Sequence, residues 1–387
     1  MVRNCVLDQV ATDRIVQGPG QQLQVGLLLG SFDTGARDFI ARVQQTPPTE
    51  EGQDPFSWTA GGKSSILLDE SWISDHSGQV TALCTGGLAV VGLYLVCPQA
   101  AFTKASTHIC KLAAVIRASQ GVKRPAAAAP VLDSLVSLKC SFTIHLAVPV
   151  TRQSQTAKIA FQEAVEAECR SIASATAIVN GRLASSEQVI HDLLPSEDLH
   201  DLEVELLTQP RCLHQQSGHE LGVSECTAWG RVQTSGTITG RAVAHRRDTL
   251  KSAVQSLKED LAASLRQRMQ LLVVDAEEDA SEASALSRIL CGSDGPTAEP
   301  MQLHLPKRVM IPLEGCMELG DHLLPGDDEQ QAVTTACEVL SLDVTQPNQL
   351  HWPEEFGASA GLTHDNFDGI MHDMQKGANS RLPRGCV

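Results

Sequence analysis

The sequence predicts an α/β (α+β) fold: a mixed sheet flanked by helices, then a second, smaller α+β domain and a flexible tail. Three observations carry that prediction. Two short apolar runs, Gln24 to Gly30 and Gly86 to Pro98, are leucine-rich or β-branched and bracketed by Gly or Pro, as strands buried on both faces are. Val136, Leu138, Cys140, Phe142, Ile144, Leu146, Val148 and Val150 alternate with Ser137, Lys139, Ser141, Thr143 and His145, which marks a long strand with one wet face. Between these strands lie segments whose apolar residues recur at helical spacing. Neither apolar run reaches the ~20 residues that a membrane helix needs.

In order, residues 1–20 carry little pattern. The first strand (23–29) meets the turn signal Asp33-Thr34-Gly35, and the alternation of Phe39, Ala41 and Val43 beyond it predicts a hairpin. A polar loop from Thr46 to Lys63 follows. Asp69 is placed to cap a helix over 70–83 with Trp72, His76, Val80 and Leu83 on one face. After the strand at 88–96, Ile109, Leu112, Ala113 and Ile116 stand at i, i+3, i+4, i+7 of a helix over 103–118. An alanine- and proline-rich connector (121–130) leads to the long alternating strand. A helix over 155–176, burying Phe161, Val165 and Ile172, closes a first domain, residues 1–178.

Asn180-Gly181 opens the second domain, 179–344. It is expected to hold a strand at 202–206, two strands (226–234 and 237–246) joined by Ser235-Gly236, and a helix capped by Asp248. That helix carries Leu250, Val254, Leu257, Leu261, Leu265 and Met269 as one stripe. An acidic loop (275–304), a strand at 307–313 and a helix at 328–341 complete it. From Thr345 to Val387 the composition is that of a tail. Within it Phe367, Ile370, Met371 and Met374 follow Asn366 at helical spacing, either a short docking helix (366–375) or chance spacing in a disordered segment.

A net charge of 30 minus 46, or −16, argues against nucleic acid or an anionic membrane as the primary partner. With aromatic residues at 3%, stacking platforms for single strands are also unexpected. The twelve cysteines lie no closer than thirteen positions apart, so no C-x-x-C pair exists. Several sit inside apolar patterns, where a thiol behaves as a small hydrophobe. A reducing, cytosolic setting is the expectation.

Val25-Gly26-Leu27-Leu28-Leu29-Gly30 and Val90-Val91-Gly92-Leu93-Tyr94, with a helix between and after them, resemble the MPN fold. Its catalytic members, the JAMM metalloproteases, supply a Glu before the first strand, an H-x-H pair at the end of the second and an Asp from the next helix. Along a strand, H-x-H points both imidazoles to one face, where a catalytic zinc needs three protein ligands and one open position. By ungapped spacing Gln24, Leu95, Cys97, Ala105 and His108 occupy those positions here. That set reads as a degenerate metal site, so no catalytic residue, metal or cofactor is expected.

A wider set of segments is similar to the odorant-response-abnormal-4 family. It comprises Thr46-Pro47-Pro48, Leu68-Asp69-Glu70-Ser71-Trp72, Gly86-Gly87-Leu88, Val179-Asn180-Gly181, Gly240-Arg241-Ala242 and Arg308 to Gly315. The resemblance implies a non-enzymatic adaptor at the cytosolic face of the endoplasmic reticulum, or in the cytoplasm. Such an adaptor binds and positions the cysteine protease specific for the ubiquitin-fold modifier, as a heterodimer, and has a linked role in trafficking G-protein-coupled receptors. Trp72, Ile109, Leu112 and Ile116 are the expected partner face, shared with the core. Family members usually end in a hydrophobic anchor, whereas this chain ends Arg381-Leu382-Pro383-Arg384-Gly385-Cys386-Val387. No direct membrane span is expected.

Four other readings compete with this one. Cys212, His214, His219 and Cys226 are a C-x-H-x(4)-H-x(6)-C set that could bind zinc, or loop residues spaced by chance. Cys97 with His108 could form a cysteine-hydrolase pair, but a nucleophilic thiolate needs an electropositive, partly exposed setting and Cys97 ends an apolar strand. A stand-alone isopeptidase and a scaffold subunit of another MPN-containing assembly are the alternative functions.

Overall fold

Where the sequence shows little pattern, the chain already folds. The computed structural model describes residues 4–17, 23–31, 37–58, 66–115, 125–129, 131–150, 154–183, 185–194, 196, 200–208, 230–278 and 301–355. Strand β1 (Asn4–Asp8) and helix α1 (Gln9–Gln17) open it. The helix starts at Asp8, whose carboxylate accepts the Val10 N–H at 2.8 Å and also the N–H groups of Val131 and Leu132. One buried acid thus starts a helix and pins a distant connector.

Strands β2 (Gln24–Ser31) and β3 (Arg37–Gln45) form the expected hairpin. A small ribbon, β4 (Phe56–Trp58) with β5 (Ile66–Leu68), precedes α2 (Glu70–Leu83). Asp69 caps α2 as predicted, accepting the Trp72 N–H at 2.9 Å. Then come β6 (Ala89–Val96), α3 (Gln99–Val115) and β7 (Pro125–Ala129). The first sheet has the order β6-β2-β3-β1-β7, antiparallel at the β6 side and parallel around β1. One face packs on α1 through Leu7, Ala11, Ile40, Val43 and Val91. The other carries α2 and α3.

The second sheet is built on β8 (Leu135–Val150) and β11 (Gly230–His245), paired antiparallel along their full length. Helix α4 (Ser154–Ser174), β9 (Thr176–Val179), β10 (Asp201–Leu207), α5 (Leu250–Glu278) and β12 (Met301–Gln302) complete it, in the order β12-β11-β8-β10-β9. Its inner face and the two helices share one apolar core, from Val136 and Ile144 to Leu257 and Leu265. A buried Leu stabilises by ~1.5–3 kcal/mol, and α5 sets Leu250, Leu257, Leu261, Leu265 and Leu272 into this core. The hairpin β13 (Lys307–Pro312) and β14 (Glu318–Leu323), with α6 (Gln330–Glu338), packs against the α2 side of the first sheet.

Four expectations are corrected. Ser235-Gly236 is not a turn: both residues pair with His145 and Ile144 in mid-strand, because the continuous partner β8 overrides the local Ser-Gly signal. Thr249, not Asp248, caps α5, its hydroxyl accepting the Ser252 N–H at 3.3 Å, while Asp248 turns back to the His245 N–H. The boundary at 178/179 cuts across the second sheet, since β8 pairs with β11 and β10. Nor does the tail begin at Thr345. Residues 345–355 form a 3-10 turn at Pro347–Gln349, bury Leu350 and bond His351 to Met310 through both backbone groups at 2.8 Å.

Candidate functional site

The end of β6 holds the positions that the MPN resemblance singles out. Gln24 lies opposite Val96 in the β2–β6 ladder and is half-buried. Leu95 packs into an apolar cluster with Val25, Ile73 and Leu112, flanked by Phe56, Leu68 and Leu93. Two residues on, Cys97 packs against Leu23, Ile66 and Ala101, with Phe56 and Leu68 again alongside. Leu95 and Cys97 thus share one apolar neighbourhood, as the alternation of a strand requires. Burial pushes the Cys97 thiol up from its ordinary value, the opposite of what a thiolate nucleophile needs. Ala105 faces the interior at 3% exposure. His108 lies in α3, its side chain outside the described residues.

Of the expected partner face, Leu112 is 2% exposed and packs in the cluster that holds Leu95. Ile109 is half-buried, and Trp72, also half-buried, anchors α2 by donating its indole N–H to the Pro47 carbonyl at 2.9 Å. His76 is buried and donates Nε2–H to the Val339 carbonyl, and burial lowers its pKa. Ile116, the tail residues Phe367, Ile370, Met371 and Met374, and the set Cys212, His214, His219 and Cys226 lie outside the described residues. Among the described residues no group of three His, Cys, Asp or Glu side chains is placed to hold a metal ion.

A cluster of buried charges was not anticipated from sequence. Asp260, Ser264 and Arg268 stand one turn apart on α5, beside its apolar stripe. The Arg308 guanidinium meets the Asp260 carboxylate in a two-pronged pair at 2.7 and 2.8 Å. Arg268 meets Glu355 the same way at 2.6 and 2.7 Å. Asp260 also accepts the N–H groups of Arg241 and Gly86, and Glu355 those of Thr239 and Arg308. Arg308 donates to the Thr239 carbonyl. Together these groups satisfy the β11 edge at Thr239–Arg241 where no strand lies. Burial lowers Arg268 and opposes the charge on Glu355, but the guanidinium beside it holds Glu355 below the usual carboxylate value. His322, against the Ser264 hydroxyl at 2.8 Å, is held well below its usual value by burial and by the charges of Arg268 and Arg308. This is a structural constellation, since each charge is matched from within.

Beside it, a cleft of about 370 Å³ opens between β8, β10 and the β13–β14 turn. Several of its polar groups are also matched internally: Lys139 with Asp201 at 2.9 Å, His351 with Glu318 at 2.6 Å, and His200 with the Leu135 carbonyl. No helix among the described residues is long and apolar enough to cross a membrane.

Comparison with known proteins places this architecture. The mouse protein odr-4 homolog is 23% identical, the alignment covering 91% of this chain and 85% of its relative. The human and chicken proteins of the same description are 22% and 21% identical, over 76% and 85% of this chain and 73% and 81% of theirs. Among solved structures, the crystal structure of UfSP from C. elegans superposes with a TM-score of 0.39 at 10% identity, over 89% of this chain and 58% of that chain. A family model described as Odorant response abnormal 4-like matches residues 26–129 and 127–349. With the match running through both sheets, the chain belongs to the odorant-response-abnormal-4-like family.

Proposed function

We propose that this chain is a non-catalytic adaptor. It binds a cysteine protease specific for the ubiquitin-fold modifier and positions it at the endoplasmic reticulum, in a heterodimer, with a linked role in the trafficking of G-protein-coupled receptors. Family membership supports the class. The packing of Leu95 and Cys97 carries the non-catalytic part: both side chains are spent on apolar clusters at the strand end where an MPN enzyme would present its imidazoles. An MPN-like first sheet, inactive in chemistry and kept for binding, is the reading that unites the two.

The test uses the full chain, purified and mixed with the purified protease. Co-elution as one complex, with modifier cleavage that depends on the protease, is the expected result. Cleavage of a modifier conjugate by this chain alone, abolished by a chelator, would overturn the reading.

A further inference from the structure

β6 is the outermost strand of the first sheet and pairs along one side only, to β2, in a ladder that passes over Val91 at a register shift. Alternate N–H and C=O groups on its other side therefore point away from the sheet. Among the described residues none of them meets a backbone or side-chain partner. Ala-Val-Val-Gly-Leu-Tyr-Leu-Val contains no charge and no proline, two of the devices that block a sheet edge, and its one irregularity is the register shift at Val91.

Among the described residues, the other margins of the two five-stranded sheets are shortened or blocked. β12 is two residues long. β7 begins with Pro125, which has no N–H to donate. β9 ends where Val179 bonds back to Arg182. The edge of β11 is filled by Asp260, Arg308 and Glu355.

Both faces of β6 continue apolar layers. Val90 and Leu93 belong to the α2 side, and Val91 and Tyr94 to the α1 side. A strand added here would extend both layers and must itself be uncharged along its length. A second copy is disfavoured as occupant, because each chain carries −16 and edge-to-edge pairing sets those charges against each other.

We propose that the outer edge of β6 is a strand-addition surface, taken by an extended, uncharged apolar segment of a different protein. The inference rests on the adaptor reading, and names the surface that such an adaptor would use. Main-chain hydrogen bonds supply affinity in this mode, and the alternating side chains supply the fit.

Hydrogen exchange on the full chain, alone and with the purified protease, is the test. Amides of residues 89–96 should slow by about tenfold or more in the complex. Val96→Lys should weaken capture of the protease by a similar factor while the melting temperature of the free chain stays in place. A complex that forms with exchange at 89–96 unchanged overturns this surface and leaves the adaptor reading standing. No complex at all overturns both. A dimer of the chain alone in sedimentation, with 89–96 protected, assigns the edge to a second copy and overturns the hetero-partner.

Discussion

At the edge of the second sheet, β11 meets two carboxylates and a guanidinium, whereas β6, at the edge of the first, meets no polar partner among the described residues. The two edges face the same physical problem, since a strand margin presents donors and acceptors that must be paired or solvated. β11 lies inside the molecule, under the β13–β14 hairpin and residues 345–355, so its groups cannot be left to water. Side chains from α5, β13 and the C-terminal segment take the place of a strand. β6 lies at the margin, where leaving backbone groups unpaired is cheap and keeps them available. The comparison teaches that charge was placed where an edge had to be closed.

The largest effect should come from opening the closed edge. Asp260→Ala removes the partner of a buried guanidinium and leaves the Arg241 N–H unsatisfied. A loss of about 3–5 kcal/mol is expected in denaturant unfolding. Replacing both members with apolar residues, in Asp260→Leu with Arg308→Met, should recover part of that loss, since no charge is then stranded. If the double variant is as unstable as the single, charge matching is not what closes this edge. Glu355→Gln should act in the same direction, because Arg268 at 1% exposure loses its counter-charge. Its cost should be smaller, as the guanidinium keeps the Pro306 carbonyl and the Ser264 hydroxyl.

Next in size is the seam through which the two sheets touch. Gly86 exchanges backbone hydrogen bonds with Arg241 and Val243, and a Cβ there would stand 2.3 Å from the Ser256 carbonyl oxygen. Gly87, at φ +79°, would set a Cβ 2.0 Å from the Val243 carbonyl oxygen. Neither contact ends on a flexible side chain, so Gly86→Ala should cost about 1–3 kcal/mol by forcing α5 or β11 to move. A Gly86→Ala protein that melts with the parent would show that the seam is loose.

Acid should loosen the closed edge. Glu355 is depressed in the folded chain, so its contribution is complete above the unfolded value of about 4.3 and fades as pH falls through the lower folded value. His322 is also depressed, and for a base the consequence is that folding disfavours the proton. Below about 6.5 the unfolded chain binds a proton that the folded chain refuses. Both groups make stability fall with pH, His322 first and Glu355 later. A melting temperature flat from pH 7 to 5 would remove His322 from this account.

How much of this could be read in advance follows from range. β2, β6, β8, α2 and α5 were legible because alternation, periodicity or a cap residue lies within a dozen positions. β1 was not: a five-residue strand at the sheet's interior, Asn4–Asp8, owes its place to parallel neighbours at 37–40 and 125–129. β11 read as two strands because Ser235-Gly236 is a local turn signal, whereas the pairing that overrides it comes from β8. The charge cluster joins positions 86, 239, 260, 268, 308, 322 and 355, and no spacing rule links them. Glu355 was the hardest to see, since its surroundings have the composition of a tail. At the candidate site, the identities of Leu95 and Cys97 were legible, but that Leu112 packs in the cluster that holds Leu95 needed the packing.

The smallest effect on stability belongs to the open edge. Val96→Lys puts a charge at the end of β6, on a half-buried side chain that takes no part in the apolar clusters. A surface change of that kind alters folding by no more than about 0.5 kcal/mol, well below the Asp260→Ala cost. Yet the same lysine is the device by which natural sheets refuse an incoming strand. The contrast between the edges is therefore sharpest in this one variant. If Val96→Lys destabilises the free chain as much as Asp260→Ala does, β6 is already covered in solution and the two edges are closed alike.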